Sequence, residues 1–485
     1  MPNHRTTPVT IIGAGLAGLG AAVHLARAGH RVRVLEAGDT AGGCCSTHEQ
    51  SGFRFNNGAL YMAVPSALRA AFARLDMNAD MPELVPIAKP HCTHLDDGTT
   101  VHLSDADNAF LEGERACKRT RQLQRELGIL RKQWGPIYRT LVQDILPHEP
   151  SLPRTLGRLW KSLPRMGGSV DKLIGKYFDD PAVQAAVAST LLYTGIAPSR
   201  LPAPQIIGLM ALLEEGFHLP RGGMGAITDR LHEAARSASV DIHFGARVRR
   251  VLVDHGRTRG LELDGGERID ADGIIATCSG FALAQHLLPR DAVPASMRRR
   301  VRRSPLSHRA IAIQIGCHGL GDDGAFVTNH VPRMAEQGRM HVLGTGIPSW
   351  LSWTRPTSVL PELAPAGHAI IECFAPATAS SASAWTETMT RQVTDRYIEG
   401  LRRKLPGLEI DTLRVMDPPY FAAQRHLYEG ALYGIAPGAA PGQFFPHRTA
   451  IKGLYLAGQT TWPGYGVPSA LLSGIQAADA VLGDR

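Results

Sequence analysis

The sequence predicts an α/β fold in which a Rossmann-like parallel-sheet domain is split by an inserted α+β lobe. Three observations predict it. A strand, glycine loop, helix and strand open the chain. A strand, glycine loop and helix close it. Between them lie two long stretches whose patterning belongs to neither unit. With 485 residues and 52.2 kDa there is room for about two to four domains.

The opening unit reads residue by residue. Val9-Thr10-Ile11-Ile12 is a short apolar run that suits a buried parallel strand. Gly13, Gly15 and Gly18 follow as GxGxxG, then an Ala- and Leu-rich helix over residues 16–28 with Gly29 as its stop. Residues 31–35 alternate as a second strand, and Glu36 ends it. Gly13 permits a tight turn, Gly15 lets the backbone approach a pyrophosphate, and Gly18 allows close helix–strand packing. Leu16 and Ala17 start a helix whose free N–H groups face the phosphates. Glu36, with Ala37 beside it, stands where a carboxylate accepts from a ribose hydroxyl. The glycine pattern alone is unspecific; its order between strand, helix, strand and acid makes it specific.

Downstream come Gly42, Gly43 and Cys44, then a run from Gly52 to Gly58 that includes Asn57 and is followed by Ala59. Residues 219–235 form a Pro-x-Gly-Gly loop opening a helix. Short strands are expected over 242–244, 246–253 and 259–263, with a turn at Asp264-Gly265-Gly266 and one strand over 269–277 closing the domain. This gives a discontinuous nucleotide domain over 1–104, 215–290 and 425–485.

The inserted lobe is expected over 105–214 and 291–424. Leu123, Leu127, Leu130, Trp134, Ile137 and Leu141 are spaced as one helical stripe and read as core. Residues 153–178 mix Leu156, Leu159, Trp160 and Leu163 with Arg154, Arg158, Lys161 and Arg165. Such a segment can lie on an anionic membrane surface, although Pro164 and Gly167-Gly168 interrupt any long helix.

Composition narrows the class. An apolar fraction of 44% with 20% charged residues is globular, not disordered. The net charge of +8 comes with no nucleic-acid module, so no nucleic-acid partner is expected. Seven scattered cysteines without a CxxC pair suggest neither disulfides nor zinc, and the 20 histidines show no ligand spacing, so no metal is expected. No apolar leader and no run of about 18 apolar residues is visible. The expected location is the cytoplasm, with peripheral contact at the inner face of the membrane.

The closing unit is the most telling. Gly430, Tyr433 and Gly434 form a Gly-x-x-Tyr-Gly turn, and Gln443 precedes Pro446. An apolar strand then ends at Gly458-Gln459, and Thr461, Pro463, Gly464 and Gly466 give Thr-x-Pro-Gly-x-Gly. Val467 and Pro468 lead into a helix expected from Ser469 to Leu482, with Gly483 as its stop. The free N–H groups at that helix start favour negative charge on a bound group.

These motifs, with Gly42-Gly43 and the Gly52–Gly58 run, resemble the phytoene desaturases, carotenoid isomerases and retinol saturases. They belong to the amine-oxidase-type flavoprotein superfamily, which also contains the GDP-dissociation inhibitors. The resemblance covers both ends and the Gly222 region and is poor through the lobe. It implies a Rossmann-like FAD-binding domain of the two-dinucleotide-motif type, with Val248 at the adenine edge. It also implies an oxidoreductase acting on C–C bonds of an apolar polyene or isoprenoid-like substrate. A hydride would pass to flavin N5, with oxygen or a quinone as electron acceptor. The residue after Gly-Gly is usually arginine or a small polar group; Cys44 reads as a small packed residue. Where some desaturases carry an arginine near the proline motif, this chain has Phe445. His426, Tyr433, Trp462 and Tyr465 flank the flavin motifs as cavity candidates. Glu214 and Glu215 are candidate bases, with a helix end as the plainer reading. The alternatives are a flavin-dependent isomerase, saturase or reductive cyclase, an amine or amino-acid oxidase, and a non-enzymatic carrier.

Overall fold

Val9–Ile12 forms the centre of a five-stranded, wholly parallel sheet. Across it the order is Asp241–His243, Val32–Leu35, Val9–Ile12, Ile274–Ala276 and Leu454–Leu456. The central strand reads as one apolar run because both its faces are covered. The computed structural model describes residues 7–321, 324–332, 350–377 and 380–484.

One face of the sheet carries the helices Leu16–Arg27, Ala226–Ser237 and Val467–Gly483. The first and last touch through small residues. A Cβ on Gly474 would lie 2.0 Å from the Ala17 carbonyl oxygen, and one on Gly20 2.4 Å from Leu471 Cδ1. The other face carries an antiparallel meander, Val248–Asp254, Arg257–Leu263 and Arg268–Asp270. Its core joins Ile12 and Leu35 to Val251, Leu261 and Leu456.

Two expectations are corrected here. The single strand over 269–277 is two: Arg268–Asp270 ends the meander, and Ile274–Ala276 enters the parallel sheet. The turn between them is pinned by Thr258, whose hydroxyl donates to the Asp272 carbonyl at 2.9 Å. The sheet therefore closes on Leu454–Leu456, and Ile274–Ala276 is interior. The last helix starts at Val467, before Ser469, and runs through Gly483. Pro468 sits in its first turn, where a missing N–H costs nothing.

A second, mixed sheet has eight strands. Its order is Glu409–Met416, Arg309–His318, Ala369–Ala377, Leu351–Thr354, Val327–Val331, His91–Leu95, Thr100–Leu103 and Phe110–Glu112. The expected boundary at residue 104 does not follow this sheet, because His91–Leu95 and Thr100–Leu103 belong to it. Nothing local in those strands says which sheet they join; the partner is Val327–Val331, more than 230 residues downstream. Helix Glu387–Lys404 backs the sheet through Val393, Tyr397 and Leu401.

The remaining lobe is helical: Ala116–Arg139, Leu152–Leu159, Val170–Tyr177, Pro181–Ser189 and Ile207–Glu215. Leu123, Leu127, Leu130, Trp134 and Ile137 are buried, so the stripe is core. Leu141 falls in a π-helical turn, Thr140–Ile145, and is half-buried.

Candidate active site

The two sheets and the helical lobe enclose one large cavity of about 1490 Å³. Its nucleotide end is built by the opening unit. Gly13, Gly15, Leu16, Ala17, Glu36 and Ala37 line it, and Val248 forms part of its wall. Gly42, Gly43 and Cys44 continue that wall to Asn57, Gly58 and Ala59. Gly458, Gln459, Gly466, Val467 and Pro468 close it from the C-terminal unit. Gly18 is off the wall and does its packing job instead: a Cβ there would sit 1.9 Å from the Gly13 carbonyl oxygen.

Geometry tests whether a dinucleotide fits. Helix Leu16–Arg27 starts with no side-chain cap and no acid in its first turn. Its N-terminal N–H groups are therefore open to an anion. A Cβ on Gly15 would meet no atom within 4 Å, and the same holds for Gly466, whose φ is +102° before the second bare helix start. Both glycines keep space that the protein itself does not fill. Glu36 is fixed by the Ala14 and Gly38 N–H groups, which donate to its two oxygens at 2.6 and 2.8 Å. Each oxygen keeps a lone pair for a ribose hydroxyl. These residues fit FAD. Cys44 is not a reactive thiolate, since burial pushes its thiol above the ordinary value.

The other end is aromatic. Tyr433 and Tyr465 lie 4.6 Å apart, and the Tyr433 hydroxyl donates to the Tyr193 carbonyl at 3.1 Å. Tyr465 reaches Gln205 Oε1 at 3.4 Å, and Tyr61 packs on Phe217 at 4.5 Å. Burial raises the Tyr61, Tyr193, Tyr433 and Tyr465 phenols, so all four stay neutral. Trp462 donates from Nε1 to the His148 carbonyl at 2.8 Å, near the wall residues Val142 and Leu146.

Not every candidate belongs to this end. His426 lines the cavity at the nucleotide end, within the fields of Glu36 and Arg247. Glu214 is paired to Arg131 at 3.1 Å and to Arg139. Glu215 accepts from Ser66 N–H at 2.7 Å and from the Tyr138 hydroxyl at 2.6 Å. Neither faces the cavity; both clamp helices. Phe445 is 1% exposed and packs on Phe281, so it is core.

Sequence reasoning missed Glu372. It lies in the strand Ala369–Ala377 opposite Gln314, is 2% exposed, and borders the cavity. Asn56 holds it, donating from N–H at 2.7 Å and from Nδ2 at 3.3 Å. Burial pushes its carboxyl up to about 7. The available signal was one acid inside the apolar run Ala369-Ile370-Ile371-Glu372-Cys373. Arg425, adjacent to His426, was missed too and also lines the cavity. Outside the cavity, the fold gathers His318, His368 and Asp411 at a sheet surface with ligand atoms within 4.8 Å, a grouping that no sequence spacing announces. Among the described residues no helix is long and apolar enough to cross a membrane.

Comparison with known proteins agrees with this geometry. Residues 16–482 match the family described as flavin containing amine oxidoreductase. The phytoene dehydrogenase of Streptomyces griseus is 30% identical over 98% of this chain and 95% of its own. The hydroxyneurosporene desaturase of Rhodobacter capsulatus is 28% identical over 99% and 98%. The zeta-carotene-forming phytoene desaturase of Myxococcus xanthus is 25% identical over 96% and 92%. Among solved structures, putrescine oxidase bound to putrescine superposes with a TM-score of 0.65 at 16% identity, covering 98% of this chain and 99% of that one. An oxidoreductase from Methanosarcina mazei gives 0.62 at 17%, covering 98% and 99%. Those two likenesses show the fold. The chain belongs to the flavin containing amine oxidoreductase family and is a phytoene desaturase-like, FAD-dependent oxidoreductase.

Proposed function

We propose that the protein desaturates an apolar polyene at a C–C bond. The observation that carries this reading is one cavity with a bare-glycine dinucleotide cradle at one end and a neutral aromatic lining at the other. The names of the full-length relatives point the same way. Bound FAD supplies a hydride acceptor at N5. The chain supplies the rest. Tyr61, Tyr193, Tyr433 and Tyr465 exclude water and offer flat apolar faces to a conjugated chain. The Val467 helix start, which has no side-chain cap, would favour negative charge on the bound group. One substrate carbon loses a hydride, its neighbour loses a proton, and the electron pair left behind becomes the new double bond. Glu372 takes that proton, as a carboxylate whose raised value suits a base near neutral pH. Oxygen or a quinone would serve as the final electron acceptor.

Substrate delivery fits a membrane surface. Leu152 is 70% and Trp160 60% exposed, with Leu156 and Leu163 exposed beside them and Arg154, Arg158, Lys161 and Arg165 interleaved. Exposed apolar residues this dense, among cations, would suit docking on an anionic membrane. Arg158 lies 3.7 Å from Asp144, on the turn that also holds the wall residue Val142. A lipid-dissolved polyene would enter beside Val142, Leu146 and Trp462. The test is incubation of the FAD-loaded protein with phytoene in vesicles. Desaturation lengthens the conjugated chain and moves its absorption to longer wavelength. An unshifted spectrum with unchanged substrate would refute the reading.

A further inference from the structure

We infer that Arg425 holds the FAD pyrophosphate, in place of the arginine that this chain lacks after Gly42-Gly43. The inference deepens the FAD reading and rests on it.

Cys44 occupies the position after the glycine pair, and its thiol is neutral. It therefore offers no positive charge to two phosphates. The chain returns to the same place from elsewhere. Arg425 follows the helix Pro418–Gln424 and lines the cavity along with Gly15, Gly43 and Cys44. Its positive field acts directly on the Cys44 thiol.

Three features of Arg425 point to a missing anion. Its Nε is buried and has no hydrogen-bond partner. No carboxylate within ion-pair distance of it is found among the described residues. Its known contacts are with Tyr420: Nη2 donates to the hydroxyl at 3.2 Å, and the guanidinium lies 5.8 Å from the ring centre. A second guanidinium shares that tyrosine. Arg414 lies 5.4 Å from the same ring and donates to the same hydroxyl at 2.5 Å. Two like charges are thus held around one ring, and each opposes the other. Both side chains are half-buried, and a bound pyrophosphate would offset their mutual repulsion and give the buried Arg425 Nε an acceptor.

The pair is also aimed. Arg414 donates to Asn57 Oδ1 at 2.7 Å and to Gln314 Oε1 at 3.0 Å. Asn57 belongs to the wall segment beside Cys44, and a Cβ on Gly58 would lie 2.8 Å from the Cys44 carbonyl oxygen. Arg414 is the anchored member and positions Tyr420. Arg425 is the member with donors to spare at the cavity wall. A planar fork with free N–H groups is the group that phosphate oxygens accept from in pairs.

The test is equilibrium binding of FAD, and separately of riboflavin, to the cofactor-stripped full chain, read by flavin fluorescence. Riboflavin has the ring and no phosphate. Arg425→Ala should weaken FAD binding roughly 10- to 100-fold, the range for losing charge-assisted hydrogen bonds, and leave riboflavin binding unchanged. The dependence of FAD affinity on salt should become shallower. Adding Cys44→Arg to Arg425→Ala should recover most of the FAD affinity, because it restores the charge from the other side. Arg425→Gln, which keeps length and polarity, should lose affinity like Arg425→Ala and guards against a folding artefact. Unchanged FAD affinity and salt dependence in both Arg425 variants would overturn the inference. Equal loss for riboflavin and FAD would also overturn it. Failure of the wild-type chain to bind FAD would instead overturn the cofactor reading itself.

Discussion

At the scale of single residues, glycine positions separate cofactor space from protein packing. Gly15 faces emptiness and Gly18 faces the Gly13 carbonyl. Gly15→Ala should therefore leave the thermal stability of the cofactor-free chain unchanged while lowering its FAD affinity, measured by fluorescence titration. Gly18→Ala should destabilise the cofactor-free chain by about 1–3 kcal/mol of overpacking, seen as a lower melting temperature. Glu372 makes a second pair of residue-scale predictions. Its carboxyl is raised from an ordinary 4.5 to about 7. As a base it must be ionised, so kcat should rise with pH through about 7. Glu372→Gln should lose that limb and fall roughly 10²- to 10⁴-fold, the usual worth of a positioned base. Stability follows the opposite trend. The folded state binds this proton more tightly than the unfolded one, so the stabilisation is full below 4.5 and lost as pH rises to about 7. Glu372→Gln does not titrate. Its melting temperature relative to wild type should climb from pH 5 to pH 8, and a flat difference would remove Glu372 from the account.

At the scale of elements, the opening and closing units were legible because each is local. Strand, glycine loop and helix are contiguous, and their residues meet the cofactor cradle without help from distant chain. Glu36 could be placed from spacing and Gly42 and Gly466 from the resemblance, and all three line the cavity. What depends on distant partners was not legible. Residues 269–277 read as one apolar strand, yet the chain turns at Asp272 to feed two different layers. His91–Leu95 gave no sign that it would pair with Val327–Val331. Glu372 reaches the cavity from the lobe and Arg425 from its edge, outside the motifs that carry the resemblance. The segment over residues 153–178 is a clearer case. Its composition was visible, and the fold shows that Leu156, Trp160 and Leu163 stay exposed. Trp160→Asp with Leu163→Asp should abolish co-flotation with vesicles containing anionic lipid, while FAD affinity is retained. Binding that persists in the double variant, or that is absent from the wild type, would rule this face out as the docking surface.

At the scale of the whole molecule, the cavity is bounded by elements from every part of the chain. The glycine loop comes from the N-terminus, the floor from both strands around Gln314 and Glu372, and the closing helix from the C-terminus. A ligand seated there ties the parallel sheet to the eight-stranded sheet. FAD should therefore raise the melting temperature of the full chain in a concentration-dependent way, as binding to the folded state alone requires. The same architecture puts the nucleotide end and the aromatic end in one continuous space, which is what a reaction between a flavin and a long apolar substrate needs. The most direct measurement is the absorbance of the FAD-loaded protein without oxygen, before and after addition of a lipid-dissolved polyene such as phytoene. The account predicts loss of the oxidised flavin band near about 450 nm in step with formation of a more unsaturated product, and its return when oxygen or a quinone is admitted. A flavin band that stays oxidised, with product appearing only after the flavin has been chemically reduced, would contradict desaturation and assign the site to isomerisation or saturation.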